Sequence, residues 1–124
     1  MRSKSRTLTE QELEIMKVVW DLERSTVRGV YETLRKRRKV AYTTVMTMMN
    51  ILETKGYLKK SRVDRAFLYR PARPKQHIVA AMVRDFVDRV FNGSAEPLLL
   101  HLVEQRQLSE KDVQKIRLLI RGNG

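Results

Sequence analysis

The stretch of residues 41 to 56 constrains the fold more than any other part of this sequence. Its large apolar residues recur at spacings of three and four, which places them on one stripe of a helix: Val45, Met48, Met49 and Leu52. The opposite face offers hydroxyl, amide and methyl groups, which suit base edges: Thr43, Met46, Thr47 and Asn50. One face requires a core and the other suits a duplex. The pattern therefore predicts a recognition helix that ends at Gly56 in a left-handed cap.

Basic residues crowd both flanks of this predicted helix. Residues 35 to 39 are all lysine or arginine, and further cations follow the helix at Lys55, Lys59, Lys60 and Arg62. The formal net charge is +12, and most of it falls in residues 1 to 74, which hold 18 Lys or Arg against 8 Asp or Glu. A charge run alone is usually a solvated face. Beside a neutral, hydrogen-bonding helix face it favours a phosphate backbone, and so double-stranded DNA as the partner.

Two further helices are expected before this stretch. Thr9 and Glu12 have the spacing of a capping box, so a first helix should begin there and run to about residue 21 or 23. Trp20 lies on its apolar side, and we interpret it as a core residue rather than a ligand-stacking one. Ser25 or Thr26 should cap a second helix, in which we expect residue 29, a glycine, to pack closely against another helix.

After Gly56 the apolar residues no longer recur at helical spacing, and the sequence predicts a β-hairpin. Residues 57 to 62 and 66 to 70 are rich in β-formers, and residues 63 to 65 are expected to link them. Pro71 and Pro74 close the segment. Three helices followed by a basic hairpin predict a winged-helix DNA-binding domain over residues 1–73, with Arg62 and Arg65 as the wing residues that contact DNA.

The remaining residues, 74–124, predict three more helices, so the expected fold class is mainly α with one small β-hairpin. These helices total too few residues to bury their apolar faces alone, which favours a two-fold dimer; the alternative is a monomer folded back on the winged domain. The residues expected at the dimer interface are apolar and recur at helical spacing: Met82, Phe86, Val90, Leu99, Leu100, Val103, Ile116 and Ile120.

Composition argues against several other classes of protein. Cysteine is absent, and the two histidines, His77 and His101, have no partners at metal-ligand or catalytic spacing, so neither an enzyme nor a metal or cofactor is expected. No apolar run approaches the roughly 20 residues that span a bilayer, so we expect a cytoplasmic protein with no stable membrane association. Two alternatives stay open: a nucleoid or RNA-binding basic protein without sequence preference, and a regulator whose effector binds between the two parts.

Several segments together resemble the penicillinase-repressor family of the BlaI/MecI type. The resemblance is carried by residues 8 to 20, 41 to 47, 52 to 58 and 65 to 71, and it continues into the tail at residues 99 to 104 and 108 to 110. It implies a homodimeric winged-helix repressor that binds an inverted-repeat operator and blocks transcription of β-lactamase or other stress-response genes.

The resemblance also assigns individual residues. The family's base-facing positions fall on Tyr42, Thr43, Met46 and Thr47, with Thr44 near the phosphates. Antibiotic-responsive members are induced through a membrane-bound sensor that triggers proteolytic cleavage in the dimerisation region. That cleavage would fall between His101 and Leu102, where this chain departs from the family's Asn-Phe pair. The cysteine-rich metal motif of copper-responsive relatives has no counterpart here, which argues against copper sensing.

Overall fold

A computed structural model describes residues 8 to 123, with side chains described as far as Leu118. The elements follow the order α1 (Glu10–Leu22), α2 (Val27–Arg35), α3 (Tyr42–Thr54), β1 (Leu58–Val63), β2 (Ala66–Pro71), α4 (Lys75–Phe91), α5 (Glu96–Glu104) and α6 (Glu110–Asn123). The expected fold class, mainly helical with one hairpin, is confirmed. The chain divides into two compact units between Val79 and Ala80, inside α4. The limits 1–73 and 74–124 for the functional domains stay a prediction.

A threonine side chain caps the N-terminus of each of the first two helices. The Thr9 hydroxyl accepts from the Glu12 N–H at 3.1 Å and the Glu12 carboxylate accepts from the Thr9 N–H at 2.9 Å, so the predicted capping box is confirmed. Thr26 caps α2 by accepting from the Gly29 N–H at 3.1 Å. We expected Gly29 to pack closely against another helix, and this was wrong: the close neighbour is Ser25. A Cβ there would collide with the Ser25 hydroxyl, so the glycine makes room for its own N-terminal turn, not for another helix.

The first unit is built on a core that joins α1, α2 and α3 to the base of the hairpin. Tyr69 in β2 exchanges both backbone hydrogen bonds with Ser25, each at 2.8 Å, and thereby fixes the hairpin to the turn between α1 and α2. Trp20 packs against this core, as interpreted from the sequence. The fully buried side chains are apolar: Ile15, Met16, Val18, Val19, Val30, Leu34, Val45, Met49, Leu52 and Leu58.

Helix α3 ends as the sequence predicted. Gly56 takes the left-handed conformation with φ of 89°, which a residue with a Cβ adopts only with strain. The Tyr57 N–H then donates to the Leu52 carbonyl at 2.9 Å and the Gly56 N–H donates to the Glu53 carbonyl at 3.1 Å, the two bonds of a Schellman motif. This cap turns the chain sharply from α3 into β1.

The hairpin is antiparallel and tighter than predicted. Leu58 pairs with Pro71 at its base and Val63 pairs with Ala66 at its tip. Val63 therefore belongs to β1, and the link that we expected over residues 63 to 65 has only two residues. Asp64 supplies the positive φ of 58° that such a turn requires, because aspartate tolerates this conformation better than most residues other than glycine.

The second unit consists of the rest of α4 followed by α5 and α6. A reciprocal pair of hydrogen bonds between Ser109 and Asp112, at 3.1 and 3.2 Å, caps α6 at its N-terminus. Many of its large apolar side chains are exposed: Val83, Phe86, Val90, Leu100, Val103 and Leu118. Among the described residues, no helix combines the length and apolar character needed to cross a bilayer.

Candidate DNA-binding surface

Helix α3 is divided into a buried face and an exposed face. Val45, Met49 and Leu52 have no exposed surface, while Thr43, Met46 and Thr47 are exposed, with Met46 at 39%. The orientation predicted from the apolar spacing is therefore confirmed. The exposed face presents hydroxyl and methyl groups and no charge, a surface that can hydrogen-bond base edges and pack against thymine methyls.

Tyr42, at the start of α3, is held in place by residues of α2. Its ring lies edge-on to the Tyr31 ring with 5.4 Å between centroids, and the Arg28 guanidinium lies 5.4 Å from the Tyr42 centroid. Glu32 accepts from both Arg28 and Arg35, at 3.3 and 3.1 Å. Tyr42 is nevertheless 37% exposed. Arg28 was missed in the sequence because it lies outside the basic runs, yet it brings a cation to the edge of the α3 surface.

The hairpin presents one of its faces on the side of α3. Cross-strand pairing sets Lys60 opposite Tyr69 and Arg62 opposite Phe67, and this face begins with buried Leu58. The Lys60 ammonium lies 4.7 Å from the centroid of the Phe67 ring. Arg62 lies 5.8 Å from the same ring. Phe67 was absent from our predicted set, and Lys60 was expected only as one of the phosphate-binding cations, although their alternation with Leu58 and Tyr69 could have revealed that they share this face.

Asn50 has a different environment from the other predicted contact residues. Its side-chain oxygen accepts from the Tyr69 hydroxyl at 2.9 Å and from the Lys60 ammonium at 3.4 Å. Burial raises the pKa of Tyr69, with smaller contributions from Glu53 and Tyr42, so the phenol keeps its proton at neutral pH and can donate. Asn50 thus connects α3 to the hairpin.

Not every cation near α3 faces outward. Lys55, which the sequence placed among the phosphate-binding flank, turns inward and donates to both oxygens of Glu12 at 2.9 and 3.0 Å. The Glu12 side chain is only 4% exposed and that of Lys55 19%. Arg38 pairs with Glu14 of α1 at 2.7 Å, and this hydrogen bond lowers the pKa of Glu14. These two pairs fasten the segment that contains α3 to α1 at both of its ends.

The remaining predicted residues lie in α3, the hairpin and the helices of the second unit. Thr44 is exposed on the first turn of α3, and Arg62 and Arg65 are exposed at the hairpin tip. His101 is exposed and Leu102 half-buried, both inside α5. The side chain of Ile120 lies outside the described residues. The other proposed dimer residues are half-buried or exposed: Met82, Phe86, Val90, Leu99, Leu100, Val103 and Ile116.

No cluster of potential metal ligands occurs in the part of the chain that the structure describes.

Three helices, a basic hairpin and an exposed, uncharged third-helix face define a winged-helix DNA-binding protein. The family model described as Penicillinase repressor matches residues 8–122. The chain belongs to the penicillinase repressor family, and it is a transcriptional repressor of the winged-helix type. The resemblance seen in the sequence is confirmed.

Individual relatives agree with this assignment. The transcriptional regulator BlaI of Mycobacterium tuberculosis is 36% identical over 107 residues, which cover 85% of this chain and 78% of that protein. The solved DNA-binding domain of the repressor BlaI superposes with a TM-score of 0.53 at 30% identity, covering 60% of this chain and 90% of that domain. A monomeric form of BlaI from Bacillus licheniformis, solved with the blaP half-operator, gives a TM-score of 0.51 at 30% identity, over 59% and 89% of the two chains.

Proposed function

We propose that this chain is a homodimeric, sequence-specific repressor that binds an inverted-repeat operator and excludes polymerase from the promoter. The observation that carries the proposal is the uncharged, hydrogen-bonding face of α3, which is exposed while the apolar face of the same helix is buried. A relative of the same family was solved on a half-operator, which supports the same use of this surface here. The family resemblance supports β-lactamase or other stress-response genes as targets.

In this proposal the residues divide into two roles. Thr43 and Thr47 hydrogen-bond base edges, and Met46 packs against thymine methyls, which favours sites with several A·T pairs. Tyr42 and Thr44 flank them, and Asn50 was predicted as a further contact. The wing cations Arg62 and Arg65 bind phosphates, which adds affinity and salt dependence but little sequence preference.

The second unit supplies the proposed dimer contact. Val83, Phe86 and Val90 recur along α4 and are 42% to 54% exposed, an apolar surface that a monomer would leave in water. A second copy of the chain would cover it, because an inverted-repeat operator requires two-fold related binding units. The dimer matters for function since two weak half-site interactions become strong only when the half-sites are bound by linked units.

Relief of repression is proposed to follow cleavage between His101 and Leu102, triggered through a membrane-bound sensor and carried out by an intracellular protease. Both residues lie inside α5, Glu96–Glu104. A protease therefore gains access to this peptide bond only when the helix opens locally. Cleavage there would separate α6 from the winged-helix domain and remove part of the proposed dimer surface, which would reduce operator affinity through the loss of linkage.

The proposal is tested by selecting bound duplexes from a random pool, followed by sedimentation of the protein alone. We expect selected sequences with two inverted half-sites, their centres about one helical turn or a small multiple of a turn apart, and a dimer in solution. Competition among duplexes at one fixed salt concentration then separates this function from that of a nonspecific nucleoid or RNA-binding protein. Equal affinity for all duplexes would overturn the proposal.

A further inference from the structure

Asn50 lies where α3 meets the hairpin, and both acceptor positions of its side-chain oxygen are occupied. The donors are the Tyr69 hydroxyl at 2.9 Å and the Lys60 ammonium at 3.4 Å. An ammonium can only donate, so the amide oxygen, not the amide nitrogen, must face Lys60. The group of Asn50 that could accept a hydrogen bond from a base is therefore already used inside the protein.

Tyr69 gives this contact a fixed anchor point. The residue is 2% exposed, and its backbone N–H and carbonyl are both bonded to Ser25 at 2.8 Å. The position of Tyr69 is therefore fixed by the core and by the turn between α1 and α2. By binding the Tyr69 hydroxyl, Asn50 ties the C-terminal half of α3 to a strand that cannot move independently of the core.

The outer part of the hairpin has no comparable anchor. Every residue from Ser61 to Phe67 is exposed, and a two-stranded hairpin has little stability of its own. Lys60 is the last residue of β1 toward the tip with a hydrogen bond to α3 among the described residues. Its ammonium also lies over the Phe67 ring, which in turn lies near Arg62. The direction of the wing cations thus depends on where Lys60 is held.

We propose that Asn50 is a positioning residue that fixes the direction of the hairpin relative to α3, so that Arg62 and the threonines of α3 reach the same duplex. This inference rests on the proposed DNA recognition and revises the role of Asn50 from base contact to brace. A wing that is already oriented loses less conformational freedom on binding. Without the brace the competent orientation is only one of several, and affinity falls in proportion to its population.

Tyr69→Phe is the sharpest variant, since it removes the hydroxyl while the ring stays in the core and no DNA-facing group changes. Affinity for a duplex selected by the wild-type chain should fall about fivefold, the value of one net hydrogen bond, with unchanged base preference. Asn50→Ala should behave in the same way. Asn50→Asp keeps an acceptor for both donors but loses the amide donor, so its ranking of duplexes should match that of the wild type even if its added charge weakens binding to all of them.

A double-mutant cycle gives the decisive result. Arg62→Ala should cost much less affinity in the Tyr69→Phe background than in the wild type, because a misdirected wing has already lost that contact. Thr47→Ala serves as the control and should be additive with Tyr69→Phe. Thermal unfolding monitors the fold of every variant. Additivity of Arg62→Ala with Tyr69→Phe, or loss of preference at a single base pair in Asn50→Ala, would overturn the brace. A wild type without any preference would instead overturn the proposed function.

Discussion

Replacing Lys55 with methionine should destabilise the winged-helix unit, because it leaves the buried Glu12 carboxylate without its cation. Lys55 follows the last turn of α3 and donates to both Glu12 oxygens at 2.9 and 3.0 Å, and the Glu12 side chain is 4% exposed. Breaking a buried ion pair by removing one partner costs roughly 3–5 kcal/mol. The cost here should be lower for two reasons.

First, Glu12 keeps the hydrogen bond from the Thr9 N–H at 2.9 Å, so one oxygen remains satisfied. Second, the Lys55 side chain is 19% exposed, so water can reach the space that the ammonium leaves. We therefore expect a loss of about 2 kcal/mol in the free energy of unfolding. In a domain of this size each 1 kcal/mol lowers Tm by about 4–8 °C, so the melting temperature should fall by about 8–16 °C.

The assay is unfolding by urea and by heat, followed through the fluorescence of Trp20. Trp20 is the one tryptophan of the chain and packs against the core of the same unit. A second variant that combines Glu12→Gln with Lys55→Met serves as the control, because the amide oxygen can still cap α1 while no charge is buried. It should recover most of the lost stability. A Lys55→Met protein as stable as the wild type, or a double variant no better than the single one, would refute the reasoning.

Four other substitutions test separate parts of the structure. Thr47→Ala should lower preference at particular base pairs by roughly 1–3 kcal/mol in competition binding, whereas equal weakening on all duplexes would count against base readout. Arg65→Ala should weaken binding to every duplex and reduce the slope of log affinity against log salt by about 1; an unchanged slope would remove Arg65 from the phosphate contacts. Phe86→Asp should give monomers in sedimentation, and persistent dimers would place the interface elsewhere. Arg38→Ala should be less stable than wild type at neutral pH, and this difference should vanish as the pH falls through the lowered pKa of Glu14, below its ordinary value of 4.5, since the pair is lost once that carboxylate is protonated.

The sequence predicted those features that depend on residues close together in the chain. The capping box of Thr9 and Glu12 and the left-handed end at Gly56 need only the geometry of one helical turn, so spacing was sufficient. The two faces of α3 followed from the spacing of Val45, Met49 and Leu52. The exposed surface of α3 could therefore be assigned from the sequence alone.

Contacts between distant residues left no periodic signal. Asn50 and Tyr69 are 19 positions apart, and Glu12 and Lys55 are 43 positions apart. Nothing in the local pattern distinguishes Lys55 from the solvated lysines that follow it, so we had assigned it to the phosphate flank. The predicted link was one residue too long, at Val63, because residues 63 to 65 contain no glycine and an aspartate is a weaker signal for the positive φ found at Asp64.

These contacts separate two functions along α3. The C-terminal half carries the ties to the rest of the unit, through Asn50 to the hairpin and Lys55 to α1. The N-terminal half presents Thr43 and Thr47 to solvent. The residues proposed to read the bases are thus oriented by contacts that they do not themselves make, so that DNA binding need not supply the free energy of orienting the helix. It follows that Thr47→Ala should change sequence preference at nearly constant stability. Lys55→Met should do the reverse, with lower stability and an unchanged ranking of duplexes while the protein remains folded.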